Sequence, residues 1–512
     1  MIVDILWIGT VVVFLIVAVA ATMYLCRTEG AHGFPGVTQV PFFGAMLTVA
    51  PHRDRIRAFS HNLVAKHGYQ TCCLTSPGKR IFMTSTADDL RVVLGDPVAF
   101  CKGDRFRWNF EELLGSGIFN ADGDLWASQR KAASHLFAAS RLRQFEEEIF
   151  VRDAELLASL LLQKQDQVVD LQNLLYALTF DSFCTLAFGE SFHALQQTLD
   201  DNEKPDFLHA FDMAVGVCAG RFITPPPITI FLKLLSLRHE GEFKAHIKLI
   251  DEFVYRVVDK VLAMKPEELE QRNDLLGLYV NHAHKTADSS MLDRKFLRDV
   301  AVNFILAGRD TTASTLTSMV RLLAHFPAQR DRVEQEVDKL AGPLTFDALS
   351  KSLPFMDAVV AETLRLFPPV PSSSKSYESD EPCALSSGPS LRRGDVIGYQ
   401  ISGVQRNPRY WEAPDEFVPN RWIAKDGTKD AIFSKPAEQH AFYFPAFNAG
   451  RRVCLGKVMA QIEAKSCLAT LVRAKLRFEL VGDDDLSDWD LFSGGAVIAL
   501  RAGLQVKIGK RA

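Results

Sequence analysis

The segment Phe447-Asn-Ala-Gly450-Arg451-Arg452-Val453-Cys454-Leu455-Gly456 carries the densest chemistry in the chain. A cysteine set among glycines and arginines suits a thiolate that ligates a metal, because the sulfur's charge needs stabilising. Gly450 and Gly456 free the backbone to turn N–H groups toward the sulfur. Arg452 adds a cation two residues away, and Phe447 can pack against the site and exclude water. Lys457 to about Val472 reads as a helix whose N-terminal dipole favours the same negative charge. A phosphate loop does not fit, since Gly450 and Gly456-Lys457 are one residue too far apart and Val458 replaces the needed Ser or Thr. Taken alone, the stretch could still be a buried cysteine in a turn.

Three other segments place reactive groups at helical spacing. In Ala307-Gly308-Arg309-Asp310-Thr311-Thr312, two small residues leave room for a ligand beside a helix. Thr311 can hydrogen-bond that ligand and Asp310 can relay protons through water. The plainer reading is a Ser/Thr patch bonding back to its own helix. Glu362-Thr-Leu-Arg365 sets a carboxylate and a guanidinium on one helix face, which at a surface contributes little. Trp126-Ala-Ser-Gln-Arg130 offers an indole N–H and a guanidinium fork, the latter suited to a carboxylate.

Elements must hold these groups. Leu292 to about His325 predicts a long, mostly apolar helix through the interior, stopped by Phe326-Pro327. Residues 52–66, 145–162 and 243–262 read as helices, and Tyr69–Thr75 and Arg80–Thr84 as strands around Ser76-Pro77-Gly78. Thr224-Pro225-Pro226-Pro227 must interrupt a helical region. Residues 379–406 and 474–508 read as turns and short strands. A length of 512 residues allows about three domains, yet no linker divides the body. Hydrophobic residues at 47% exclude a disordered chain, and a net charge of −4 lacks a nucleic-acid binder's footprint. The nine cysteines form no C-x-x-C pair, so a structural zinc site has no support. Ile5–Cys26 is free of charge and, as a helix, spans roughly 33 Å, enough for a membrane anchor. Asp4 before it and Arg27 after it argue against a cleaved signal peptide and set the following residues in the cytosol. The expected organisation is an anchor over 1–27, a Pro/Gly hinge over 28–50 and one mainly α domain with small β-sheets over 51–512.

The cysteine segment resembles the haem-binding signature of the cytochrome P-450 superfamily, F-x-x-G-x-R-x-C-x-G, with Phe447, Gly450, Arg452, Cys454 and Gly456 at its five fixed positions. The segment 307–312 resembles that family's oxygen-binding motif. Glu362 and Arg365 match its E-x-x-R, and Phe417-Val-Pro419-Asn-Arg421 supplies the third member of a buried structural triad. Trp126 and Arg130 match the W-x-x-x-R that binds a haem propionate. Arg452 is a second propionate candidate, and Lys375 stands where relatives often place a propionate-binding Arg. The resemblance covers essentially the whole chain. Its motif segments look nearest to the plant and protist fatty-acid ω-hydroxylase branch.

The resemblance implies the cytochrome P-450 fold and a haem b whose iron Cys454 ligates as a thiolate. Ala307 stands where animal relatives often carry a haem-esterifying Glu, so the haem is expected to be non-covalent. The implied activity is hydroxylation of a C–H bond, with Asp310 and Thr311 delivering protons. Electrons would come from NADPH through a separate NADPH-cytochrome P-450 reductase, docked on a basic face around Arg130, Lys131, Arg451 and Lys457. Phe106, Phe119, Phe304, Val370, Phe492 and Val497 are the expected lining of a pocket for an apolar small molecule. A long-chain fatty acid leads and a sterol follows, at an endoplasmic-reticulum membrane with the catalytic domain in the cytosol. A reductase-independent isomerase or dehydratase and a non-catalytic haem carrier stay open.

Overall fold

The charged ends and apolar middle of residues 294–325 make them the axis of the molecule. In the computed structural model, which describes residues 28–511 except 77, 135–136, 202–203, 238, 287–288, 424–439, 483 and 494, this axis is a three-part helix. Arg294–Ile305 begins at Asp293, whose side chain accepts the Phe296 N–H. A π-helical turn, Leu306–Asp310, follows and runs into Thr311–His325. Phe326-Pro327 ends it, because proline cannot continue the ladder. Between Leu297 and Leu323 every residue is buried except Ala307 and Thr311, which lie one turn apart on one face. The π turn thus falls on the predicted ligand motif, where such turns are often found.

Helices Leu171–Phe188, Asp206–Gly220, His239–Leu262, Pro354–Leu366 and Lys457–Arg473 pack around this axis in one large core. Gly308 has a different job from the one expected: a β-carbon there would stand 1.9 Å from Cδ2 of Phe183. Its small size lets helix Leu171–Phe188 cross closely, and only Ala307 faces open space.

A five-stranded sheet flanks the helices in the order Cys72–Ser76, Lys79–Thr84, Val396–Gln400, Ser372–Tyr377, Phe100–Cys101. Its pairs are antiparallel except Lys79–Thr84 with Val396–Gln400. Leu476–Leu480, Gln505–Lys510 and Val168–Asp170 form a second, antiparallel sheet.

The anchor read over 1–27 lies outside the described residues. Among the described residues no helix is long and apolar enough to cross a membrane. Residues read as a hinge instead form a hairpin, Thr28–Ala31 with Phe34–Gln39, docked on the sheet. Gln39 donates to Cys73 O at 2.9 Å and accepts from Thr75 N at 2.9 Å, so this segment belongs to the body. The proline triplet begins a helix: helix Pro226–Leu234 starts at Pro226, where a missing N–H is harmless, after helix Asp206–Gly220 has already ended.

Candidate active site

The cysteine loop is a closed turn. Short 3₁₀ turns span Pro445–Phe447 and Gly450–Arg452, and Cys454 N–H donates to Phe447 O at 2.8 Å. Gly450 adopts φ +66°, and a β-carbon there would stand 2.1 Å from Leu94 O, so no other residue fits without displacing backbone. Gly456 is less constrained, since a β-carbon there meets only ordinary contacts, the nearest at 3.5 Å. The Cys454 side chain is exposed although protein surrounds it, as at the floor of a recess. Burial pushes its thiol up, while the Gly456 N–H and the cations of Arg130 and Lys457 pull it down. The expected partner Arg452 points elsewhere: it pairs with Asp122 at 2.5 Å and lies over the Trp126 ring at 4.5 Å. Arg130 takes its place by the sulfur, donating to Val453 O at 2.9 Å.

Arg452 instead joins a cluster of cations with too few anions. Burial and the neighbouring Arg452 guanidinium push Lys375, 3% exposed, down to about 8. Lys102 is lowered too, by burial and by both of those cations. Asp122 is the carboxylate they share, and it is already engaged by Arg107 at 2.8 Å. Lys375 has no carboxylate within ion-pairing distance among the described residues, and Arg452 Nε is buried without a partner. Such a surplus of enclosed positive charge fits a ligand bearing carboxylates. Together with the open thiol and the Ala307/Thr311 window, these residues fit haem b. Lys102 and Asp122 escaped sequence reasoning because neither fills a position of the motifs, even though Asp122 lies four residues before Trp126.

On the central helix, Thr311 Oγ donates to Ala307 O at 2.7 Å, the back-bonded arrangement, which leaves the hydroxyl's lone pairs free to accept. Asp310 is buried and pairs with Arg309 at 3.0 Å. Arg309, fully buried, also pairs with Asp212 at 2.6 Å and covers the Tyr176 ring at 4.8 Å. Asp212, partly exposed, continues to Lys204 at 2.9 Å. Burial pushes the Asp310 carboxyl up to about 6, with Asp212 adding and Arg309 opposing. Arg309 occupies the variable position of the motif, so spacing alone gave no signal of its role.

Glu463, nine residues after the cysteine, is a second buried acid that sequence reasoning missed. Burial pushes its carboxyl up to about 8, the nearby Asp153 adding to the effect and the Thr312 hydroxyl opposing it. A neutral folded form and an ionised unfolded form make stability fall as pH rises from about 4.5 to about 8. Glu463→Gln keeps the shape without the titration. In chemical denaturation at several pH values, the variant should gain stability relative to wild type as pH rises through that window. A parallel dependence in both proteins would rule out Glu463 as the source.

Glu362, Arg365 and Arg421 meet at one carboxylate. Glu362 accepts from Arg365 at 2.8 Å, Arg421 at 3.1 Å, Trp422 Nε1 at 2.8 Å and the Val418 N–H at 2.9 Å. Arg365 also donates to the carbonyls of Gln405, Pro414 and Glu416. The cluster therefore ties helix Pro354–Leu366 to the segment leading to the cysteine loop.

Of the expected pocket residues, Phe106, Phe119, Val370 and Val497 are partly exposed. Asn303 Oδ1 accepts the Phe119 N–H at 3.0 Å, one turn before Ala307, and Ile498 N–H donates to Pro369 O at 2.9 Å, bringing Val497 and Val370 segments together. Phe492 and Phe304 belong to the core instead. Phe492 lies 5.6 Å from both Phe367 and Trp489, with Arg321 over its ring, so its area is spent on packing. Phe304 is 5% exposed in the same core.

This architecture is mainly helical with small sheets, with a loop-borne exposed cysteine and a central helix interrupted by a π turn. A family model described as cytochrome P-450 matches residues 34–506. The chain belongs to that family and is a cytochrome P-450 monooxygenase, a family whose cofactor is haem b. It is 29% identical to cytochrome P-450 704B1 of Arabidopsis thaliana, over 97% of this chain and 99% of that protein. It is 33% identical to cytochrome P-450 86B1 of the same plant, over 73% of this chain and 68% of that protein. The crystal structure of the cytochrome P-450DA heme domain superposes with TM-score 0.76 at 21% identity, covering 93% of this chain and 97% of that one.

Proposed function

We propose that this protein is a membrane-associated monooxygenase that hydroxylates a long-chain fatty acid, using electrons from NADPH through a separate reductase. The observation that carries the chemistry is an exposed Cys454 thiol in its loop together with a central helix whose buried stretch 297–323 is broken only at Ala307 and Thr311. In this reading Cys454 holds the iron, and Trp126, Arg130, Lys375 and Arg452 hold the propionates. Phe447, Gly450 and Gly456 shape the loop. Bound haem supplies the activation of dioxygen. The chain supplies orientation and protons: Thr311 accepts a hydrogen bond beside the window, and Asp310 exchanges protons near neutrality with water reaching it past Asp212 and Lys204.

A fatty acid is favoured by the motif segments, which resemble the plant and protist ω-hydroxylase branch. Membrane association is favoured by large apolar side chains left exposed, Phe42 and Leu47 near the N-terminal hairpin and Ile228, Phe231 and Leu234 on helix Pro226–Leu234. Lys131, Arg451 and Lys457 are exposed near the cysteine loop and offer a docking face for an acidic reductase. Mass spectrometry of NADPH-dependent products from a mixed fatty-acid and sterol panel tests the assignment. Oxidation confined to sterols would replace the fatty-acid reading, and turnover of a hydroperoxide without reductase would replace the monooxygenase reading with an isomerase.

Asp310→Asn tests the proton role. General acid groups contribute about 10² to 10⁴ in rate, so hydroxylation should fall by about 10². With its carboxyl near 6, the wild type loses the protonated form as pH rises above 6, and its rate should decline there. The variant's rate should not follow that decline, and an unchanged profile in the variant would remove Asp310 from the relay.

A further inference from the structure

Residues 115–119 form turns between helices Gly103–Leu114 and Gly123–Ser134. A segment of this kind ordinarily gives its backbone N–H and C=O groups to water. Here three side chains of the central helix take that role. Arg298 donates to Leu113 O at 2.6 Å and to Glu112 O at 3.3 Å, carbonyls left over at the end of the preceding helix. Asn303 Nδ2 donates to Leu114 O at 2.8 Å. The Asp299 carboxylate accepts the Ser116 N–H at 2.9 Å and the Ser116 hydroxyl at 3.2 Å. Asn303 Oδ1 then accepts the Phe119 N–H at 3.0 Å. Asp299 and Asn303 are fully buried, and Arg298 is balanced by Asp251 at 2.7 Å and Asp299 at 3.0 Å.

The fit leaves this loop no slack. A β-carbon on Gly115 would stand 2.0 Å from Asp299 Oδ2, and one on Gly117 would stand 2.0 Å from Asn303 Nδ2. Gly115 also adopts φ +50°. The backbone is therefore seated on the helix as closely as two glycines allow. From the other side Gln129 donates to Ser116 O at 2.8 Å. Gln129 immediately precedes Arg130, so one loop is registered both to the central helix and to the helix that carries Trp126 and Arg130. A tether that only anchored the loop would be complete at Arg298 and Asp299. The bond to the Phe119 N–H reaches further, and it is made one helical turn before Ala307.

We propose that Asn303, supported by Asp299, is a specificity-determining positioning residue: it fixes Phe119 one turn from the break at Ala307 and Thr311 and so decides which carbon of an alkyl chain meets that break. This assignment rests on the fatty-acid reading and on Phe119 as a pocket residue. It adds that the position of attack is set by a hydrogen bond that touches no substrate.

The test uses the full-length haem-loaded protein, with the positions of NADPH-driven oxidation on palmitic acid mapped by mass spectrometry. Wild type should oxidise one dominant position. Asn303→Leu removes the bonds to Leu114 and Phe119 at little change in volume. It should lower the rate at the dominant position roughly 10-fold while neighbouring positions gain, since a misplacement of about 1 Å can cost as much as ~10²-fold. Gly117→Ala pushes the same loop off the helix and should shift the products likewise. Phe119→Ala should reproduce the shift, and adding Asn303→Leu to it should change the distribution no further, as for residues acting through one contact. If Asn303→Leu does not fold with haem, Gly117→Ala decides alone. Reduced stability with unchanged product positions, effects that add to that of Phe119→Ala, or a wild type already spread over many positions overturns the assignment while leaving a fatty-acid hydroxylase. A wild type that leaves palmitic acid unoxidised overturns the fatty-acid reading itself, and the same variants are then judged by the products of whichever sterol it oxidises.

Discussion

Cys454→Ala should abolish the red-shifted Soret band of the reduced carbon-monoxide form and bring NADPH-driven hydroxylation to background. The expectation follows from the surroundings of the sulfur. The thiol lies open at the floor of a recess, held by the Cys454 N–H to Phe447 O bond and faced by the Gly456 N–H, Arg130 and Lys457. Among the described residues no other cysteine is exposed; Cys101 and Cys383 are partly buried. Cys72, Cys73, Cys184, Cys218 and Cys467 are buried, and burial raises each of their thiols with no loop to present them. Alanine removes the ligand with little change of volume and leaves Gly450 and the loop closure intact, so the protein should fold with a normal far-UV spectrum. Metal ligation needs the deprotonated sulfur, so binding must release the proton that burial favours. A retained red-shifted band in the alanine variant would refute Cys454 as the ligand.

Glu362→Ala should destabilise the protein by about 3–5 kcal/mol, the cost of breaking one side of a buried ion pair. Both Glu362 and Arg365 are fully buried, and the carboxylate collects five hydrogen bonds from Arg365, Arg421, Trp422 and the Val418 N–H. Without it, Arg365 keeps only its carbonyl partners and its charge stays buried. Arg421 is 15% exposed and can turn to water, so Arg421→Ala should cost less than Glu362→Ala. Chemical denaturation with haem retention measured in parallel checks both. Equal, small losses would show that the cluster is a surface-like pair rather than the tie between helix Pro354–Leu366 and the cysteine segment.

Much of this site was legible from spacing because its chemistry is local. Cys454 with its glycines, Glu362 with Arg365, and Ala307 with Thr311 each occupy one turn or one helix, where neighbours in sequence must be neighbours in space. The same logic read the central helix from Leu292 to His325 as a single interior element, and the structure adds only the π turn at its motif. Local logic failed where a side chain's direction depends on what lies opposite. Arg452, two residues from the sulfur, turns to Asp122 and Trp126, and Gly308 makes room for Phe183 instead of a ligand. Phe492 faces Phe367 and Trp489 in the core.

The sequence by itself pointed to the family through its motifs and read the Glu362–Arg365 pair and the helical axis from short-range spacing and hydrophobic period. Only the tertiary structure decided where the charges balance. Lys102, Lys375 and Arg452 share one aspartate, Arg309 joins Asp310 to Asp212, and Glu463 is an acid held neutral. A buried charge's energy depends on every group within a few ångströms. Those groups come from segments hundreds of residues apart, as when Arg452 meets Asp122.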